Sequence, residues 1–495
     1  MGPLGSFDHP LPSILLDEEM QLEFISWQIL AMLSENRPLV WSFLALFLIF
    51  VWSLRLLGVH DAIADTVSTF FPDESNEEAT TESGFMRQAI DVEFPTPIDY
   101  APIRETCSRT RFRPGLLFSC EEQHGGIGMV RNQILKCVRY AIHGGGALVL
   151  PSMSLRNAKD ITDIETGNEV PLDYLLDREA FITRLTEGCP GMIVYEKATD
   201  FPFYEHRLGE PLSLVGDHFE PDHPREGLRH PRKWRYFFDN WLEEQGVREH
   251  MGPEAPVHIK MEQSFLEYPV RDDGDAFVHE FGKILSFRND TRALAAKILY
   301  LLKEKFALPF DPRKAINPNA YFGAHLRLEK DATSAWGPDE WRFSRMDDQF
   351  EEQFRYLERT GLNVVYVASG NQTVVDIFAE RLNKYLSIET GTPRRNITVV
   401  TKNDLLLGAD REQLDALTFD QHALVDFLVM FRASAFMGVA HSSFPWTIAL
   451  RRHELSKYSK FGNEGSDLLR DEYSIIMGME ADYPYVDPFV YGLWP

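Results

Sequence analysis

"GLLFSCEEQHGGIGMVRNQILKCVRYAIHGGGALVLP", residues 115–151, is the stretch on which the fold turns. GLLFS is a short apolar run and reads as a buried strand. Residues 124–128, HGGIG, place three glycines in five positions: Gly125, Gly126 and Gly128. A helical pattern follows from about Met129 to Ile142. Gly144-Gly145-Gly146 stops it, and ALVLP is a second apolar strand. Strand, glycine loop, helix, strand is the unit of a parallel α/β sheet. The glycines serve either a tight turn alone or an anion that needs bare backbone N–H groups at a helix N-terminus.

Downstream, GMIVY at residues 191–195 repeats the buried-strand signature. Residues 200–260 are rich in Pro, His, Arg and Trp and read as an irregular insertion. Its His206, His218, His223 and His230 lack metal-ligand spacing and read as a solvated loop. A second series starts near residue 290. TRALAAKILYLLKEKF is a helix, YFGAHLRLE and NVVYVAS are strands, and QTVVDIFAERLNKYL is a helix. NITVVT (strand), DQHALVDFLVMFRAS (helix), AFMGV (strand) and PWTIALRRH (helix) complete it. The strands are apolar runs, which fits parallel sheets covered on both faces. Two such halves leave a cleft, and α/β sheets bind ligands at the C-terminal ends of their strands.

A chain of 495 residues exceeds one ordinary core and predicts two domains with extra segments. A formal charge of −25 argues against a general nucleic-acid binder, while leaving room for one local basic pocket. The four cysteines, Cys107, Cys120, Cys137 and Cys189, form no Cys-x-x-Cys pair, so no zinc site is expected. In an oxidising compartment Cys107 and Cys120 could pair; in a reducing one all four are core thiols.

RPLVWSFLALFLIFVWSLR, residues 37–55, reads as a membrane span. Residues 38–54 carry no charge, and at ~1.5 Å per residue they reach ~25 Å, with residues 56–59 extending them. Trp41 and Trp52 fall near the two ends, where interfacial aromatics sit. The predicted order is a short acidic tail (1–36), a transmembrane signal anchor (37–59) and a flexible acidic stem (60–94). An N-terminal Rossmann-like domain (95–280, with the insertion) and a C-terminal one (281–495) follow. Arg37 and Arg55 bracket the span symmetrically and leave its orientation open. The Asn-x-Thr sequons at Asn289, Asn371 and Asn396 permit a lumenal body.

Three motifs can carry chemistry. In AHLRLEKD, residues 324–331, His325, Arg327 and Glu329 alternate on one strand and share a face. The choice there is a buried Arg327–Glu329 salt bridge or an arginine aimed at a phosphate. In AHSSFPW, Ser442 and Ser443 fall where a strand turns into a helix, as a plain N-cap or as an anion contact. Asp426 lies inside an apolar helix, one turn after His422, and either pairs locally or reaches a ligand. Asp273-Gly274-Asp275 has the Asp-x-Asp spacing of metal-dependent transferases but sits in a polar turn and reads as solvated.

These motifs, in this order over roughly residues 110–455, resemble those of the GDP-fucose protein O-fucosyltransferases and their plant and fungal relatives. The resemblance implies a GT-B-like fold of two Rossmann-like domains facing across a cleft. It implies inverting, metal-independent transfer of fucose from GDP-fucose, as donor substrate rather than cofactor, to a protein or glycan acceptor. It also implies a single-pass type II enzyme of the Golgi or ER with a lumenal body. Carried over by residue, Arg327 and His325 take the donor diphosphate, and Ser442, Ser443 and Phe444 contact its phosphates and nucleotide. Asp426 lies near the guanine. Gly125, Gly126, Gly128 and Arg131 form the glycine loop at the cleft. Met129 stands where many relatives have Asn or Gln. Glu121, Glu122 and His124 adjoin the loop, and Glu122 is taken as the catalytic base with Arg327 at the leaving group. The competing readings are a transferase of the same fold with another nucleotide sugar, and a catalytically silent relative that acts as a binding or scaffold protein.

Protease treatment of sealed microsomes is expected to trim only the first ~36 residues, because a span of ~20 residues starts there. Complete digestion of the body would reverse the assigned orientation.

Overall fold

Two five-stranded parallel sheets organise the body. The computed structural model describes residues 81–495 apart from 92, 95, 165, 221–226, 389–395, 459–472 and 480–482. The acidic tail, the anchor and the stem as far as residue 80 lie outside the described residues. Among those described, no helix is long and apolar enough to cross a membrane.

The first sheet grows from the opening stretch. β1 (Leu116–Cys120) leads through the glycine loop into helix α1 (Ile127–Gly144), which returns to β2 (Ala147–Val149). A small hairpin of β3 (Met153–Ser154) and β4 (Glu169–Val170) follows, then the short edge strand β5 (Val194–Tyr195) and β6 (Leu212–Leu214). Helix α2 (Trp234–Glu244) and β7 (Val257–Met261) complete it, in the order β5-β2-β1-β7-β6. α1 stops where expected. Gly145 adopts φ +67 and its N–H bonds back to Ala141 and Ile142, a left-handed cap that glycine takes without strain.

Helix α3 (Asn289–Phe306) precedes the second sheet, whose strands are β8 (Phe322–His325), β9 (Val364–Ala368), β10 (Thr398–Val400), β11 (Ala435–Val439) and β12 (Ser474–Met477). Their order is β10-β9-β8-β11-β12. Helix α4 (Phe419–Phe431) leads into β11, and α5 (Ser443–Tyr458) leaves it. Every residue of β8, β9 and β11 is buried, as continuous apolar runs in a doubly covered parallel sheet require. The last helix, α6 (Val486–Gly492), brings the chain back to the first half. There Trp494 packs against Phe277, Phe281 and Tyr268, with ring centroids 5.9, 4.9 and 6.2 Å away.

The structure corrects three expectations. Residues 200–260 are not an irregular insertion, because β7 pairs with β1 along its whole length near the middle of the sheet. α2 buries Trp234, Phe238, Trp241 and Leu242 at helical spacing, a period that the Pro- and His-rich composition around it masks. β7 escaped because Val257-His258-Ile259-Lys260 alternates; His258 and Lys260 turn to a sheet face that other polar groups share. The disulfides join Cys107 to Cys189 and Cys120 to Cys137, so Cys107 and Cys120 do not pair. Cys120 ends β1, and the right-handed return of α1 carries Cys137 across it. Asp273 is no solvated residue. Its side chain, 9% exposed, takes two hydrogen bonds from Arg139 (2.9 and 2.6 Å) and one from the Tyr268 hydroxyl (2.8 Å).

Candidate active site

The C-terminal ends of β8, β9 and β11 open onto a cavity of about 770 Å³, and the glycine loop of the first half closes its other side. Gly126, His325, Arg327, Asp426, Ser442, Ser443 and Phe444 all line it. Residues up to 363 positions apart therefore converge (Gly126 to Phe489). Gly125, Gly128, Arg131 and Glu122 are not among its lining. Gly125 holds φ +111, which only glycine adopts freely, and so shapes the turn. Gly128 lets two helices touch. A Cβ there would sit 2.7 Å from Thr447 Oγ1 and 3.0 Å from the Ser443 carbonyl oxygen. The N-termini of α1 and α5 thus meet at the cavity wall, and the positive ends of two helix dipoles face it. Arg131 is buried and donates to the carbonyls of Gly282 (2.7 Å), Trp494 and Pro495 (both 3.2 Å), which holds the returning end of the chain rather than a ligand. The backbone carbonyl of Glu122 accepts from the Gln263 amide.

A ladder of charges crosses the cavity. Arg327 binds Asp331 through both nitrogens (2.9 and 2.6 Å) and Glu329 at 2.8 Å. Both alternatives read for Arg327 therefore meet in one residue, since the arginine is salt-bridged and also faces the cavity. Asp331 also accepts from Arg156 at 3.0 Å, and Arg156 Nε lies 3.2 Å from Asp420. Burial opposes the charge on Arg327, but Glu329 and Asp331 outweigh it and raise its pKa. Burial likewise acts against ionised Asp331, yet Arg327 and Arg156 hold its carboxyl below the ordinary value. Asp420 goes the other way. Burial raises its pKa, and Arg156 offsets this only in part.

At the nucleotide end expected from sequence, Asp426 accepts from Lys402 and from the Tyr366 hydroxyl (2.8 Å). Two imidazoles flank Arg327. His325 stacks on Phe444 with centroids 4.7 Å apart and 14° between planes, and burial, then Arg327 and His441, drives its pKa well down. His441 accepts from Trp341 Nε1 at 2.9 Å through Nδ1, so its own proton sits on Nε2. Burial and Arg327 lower its pKa to about 4. Both rings are therefore neutral near pH 7. Trp336, Tyr483 and Tyr485 make an aromatic wall, with Trp336 5.4 and 6.2 Å from the two tyrosine rings. Among the described residues, no three His, Cys, Asp or Glu side chains gather as metal ligands.

Sequence reading missed Arg156, Asp331, Lys402, Asp420 and His441. Lys402 comes just after the short strand β10, and that position beyond a parallel strand was the available signal; Arg156 follows the hairpin strand β3 and had no such signal. Asp420 had none, because an acid in a first helical turn is ordinary.

No family model matches the chain, and no curated protein matches it. Solved structures do. A crystal structure of POFUT1 in complex with GDP is 16% identical, with a TM-score of 0.38 over 70% of this chain and 96% of that one. The fucosyltransferase NodZ from Bradyrhizobium is 13% identical, with a TM-score of 0.32 over 68% and 92%. A mutant of Arabidopsis thaliana FUT1 in complex with GDP is 12% identical, with a TM-score of 0.34 over 76% of each chain. Likenesses this distant carry neither the fold nor an activity over to this chain, whose two parallel sheets and cavity stand on its own residues.

Gly128→Ala is expected to cost about 1–3 kcal/mol in denaturant unfolding, because the new methyl overlaps Thr447 and the Ser443 backbone. Gly126→Ala, whose Cβ would lie 3.8 Å from Ser443 Oγ, is expected to stay near neutral in the same assay. Equal costs for the two would contradict this packing.

Proposed function

We propose that the chain is a membrane-anchored glycosyltransferase that moves fucose from GDP-fucose to a protein or glycan hydroxyl, with inversion and without a metal ion. The carrying observation is the convergence in one cavity of Arg327, Gly126, the Ser442–Ser443 turn, Phe444 and Asp426. These are motifs that the family resemblance assigns to the donor. A diphosphate fits this end chemically. Arg327 offers a planar donor fork, and two helix N-termini add fixed positive potential where leaving-group charge develops. Neutral His325, stacked on Phe444, presents an apolar face beside the arginine. Two disulfides support a body in an oxidising compartment, in keeping with the lumenal side of the Golgi or ER.

The second reading, binding without turnover, draws on the charge of the residues that line the cavity. Arg156, Arg327 and Lys402 face Glu329, Asp331, Asp420 and Asp426, so carboxylates outnumber cations. A transferase using another nucleotide sugar fits the same pocket, since Arg327 and the two helix N-termini suit a diphosphate whatever sugar it carries.

Calorimetry with GDP, UDP and GDP-fucose tests the three readings together. Wild type is expected to prefer GDP over UDP and to turn over GDP-fucose. Arg327→Ala is expected to weaken GDP binding by ~2–4 kcal/mol, since it removes a charged partner and leaves two carboxylates facing the phosphates. Arg327→Lys is expected to recover little, because a point charge does not reproduce the fork. A folded Arg327→Ala protein with wild-type GDP affinity would remove the donor assignment.

Turnover is also expected to survive excess EDTA. A cation would need hard oxygen ligands held free at the site. Asp273 of the Asp-x-Asp sequence is already bound by Arg139 and Tyr268, and fixed donors stand at the cavity instead. Activity lost on chelation, restored by manganese and absent in Asp273→Ala would overturn metal independence.

A further inference from the structure

Transfer to a hydroxyl needs a group to take the hydroxyl proton, and Glu122 does not line the cavity. We propose that Asp420 is that general base, an inference that rests on the transfer reaction proposed above. Among the described residues four carboxylates line the cavity, and three have their oxygens engaged. Glu329 accepts from Arg327, from the Gly370 amide at 2.7 Å and from Ser369 at 3.4 Å. Asp331 carries the Arg327 fork, Arg156 and the Ala332 amide. Asp426 carries Lys402 and Tyr366. Among the described residues Asp420 has one ion-pair partner, Arg156, with Nε at 3.2 Å and outside hydrogen-bond geometry. Its side chain is only 9% exposed, so it meets the cavity rather than bulk water.

The placement suits an inverting displacement. Arg327 stands at the leaving group, and Asp420 lies beyond it by three ion pairs in series, Arg327–Asp331, Asp331–Arg156 and Arg156–Asp420. Inverting glycoside hydrolases likewise hold their base away from the group at the leaving oxygen, with the two carboxyls about 6.5–9.5 Å apart to leave room for the attacking water. Atoms and charge balance in the step. The acceptor O–H gives its proton to the Asp420 carboxylate, and the oxygen bonds to the anomeric carbon. The bond from that carbon to the β-phosphate oxygen breaks, and its electron pair stays on that oxygen as GDP leaves, its charge offset by Arg327. Asp420 then returns the proton to water.

The groups facing Asp420 are Arg156, Arg327 and Asp331 from the ladder and Tyr174, whose hydroxyl bonds Thr418 Oγ1 at 2.7 Å. Burial raises the Asp420 pKa and so strengthens it as a base once ionised. The rate should therefore fall as pH drops through that raised value.

Hydrolysis of GDP-fucose, with water as acceptor, tests this on the purified chain without knowledge of the natural acceptor. Asp420→Asn is expected to lower kcat by about 10²–10⁴-fold. GDP affinity measured by calorimetry should stay at the wild-type value. The acid limb of the kcat–pH profile should vanish in Asp420→Asn and reappear, with part of the rate, in Asp420→Glu. An Asp420→Asn enzyme that keeps the wild-type kcat and acid limb overturns the proposal. So does one that loses GDP affinity as much as rate, which would make the residue a clasp for Arg156. A wild type that binds GDP yet leaves GDP-fucose intact in water overturns it too. Failure of wild type to bind GDP at all would instead remove the donor reading.

Discussion

The body depends on the pairing of polar side chains along a helix that has no solvent face. α1 buries every residue except His143, and those residues include Arg131, Asn132, Lys136 and Arg139. A charged or amide group taken from water without a partner costs several kcal/mol; these four find one, and the Gln133 amide, equally buried, does not. Asn132 and Lys136 reach the Phe265 carbonyl, each at 2.9 Å, and Asn132 also reaches Gly492. Arg139 reaches Asp273, and Arg131 reaches Gly282 and the final residues. The partners come from residues 265–282 and 492–495, segments far apart in the chain. The need to satisfy one helix therefore wraps the chain around it. The same wrapping fixes the N-terminus of α1, and with it the glycine loop, against α5.

Lys136 shows the cost of this arrangement. Burial depresses its pKa to about 7, with Glu267 and Asp217 opposing the shift. Arg131 and Arg139 do not give up their protons so readily, and Arg139 is held charged against burial by Tyr268 and Asp273. Arginine suits the two positions where a planar group must span several carbonyl or carboxylate oxygens. Lysine serves where a single carbonyl suffices.

The order of strands and helices was legible because parallel strands buried on both faces leave continuous apolar runs. VVYVA and AFMGV are such runs, and both proved wholly buried. The cavity residues of the second half were legible for the opposite reason: His325, Arg327 and Ser443 are polar groups at the ends of those runs. β7 was hidden because two of its five side chains, His258 and Lys260, are polar, and α2 because its flanks are dense in Pro and His. The pairing of Cys120 with Cys137 depends on the path of α1 over β1, and spacing alone does not show it. Arg156, Asp331 and Asp420 were hidden because their meaning is mutual. Each is an ordinary surface residue until the hairpin after β2, the end of β8 and the start of α4 bring them within 3.0–3.2 Å.

That mutual pairing also bears on how a diphosphate could enter a cavity richer in acids than in bases. Displacing a buried carboxylate from an arginine costs about 3–5 kcal/mol when the freed group is left alone. In this ladder it is not left alone. If a phosphate oxygen replaces Asp331 on the Arg327 fork, Asp331 keeps Arg156 and the Ala332 amide at 2.9 Å. Arg327 keeps Glu329, and Glu329 keeps the Gly370 amide. One anion is exchanged for another at a single rung, and no charge is stranded. The acidic surroundings then favour a ligand that matches the fork well over one that offers negative charge alone, because only a bidentate partner recovers both hydrogen bonds that Asp331 gives up. A cavity lined with free arginines would bind many anions. One whose arginine is already paired selects by geometry.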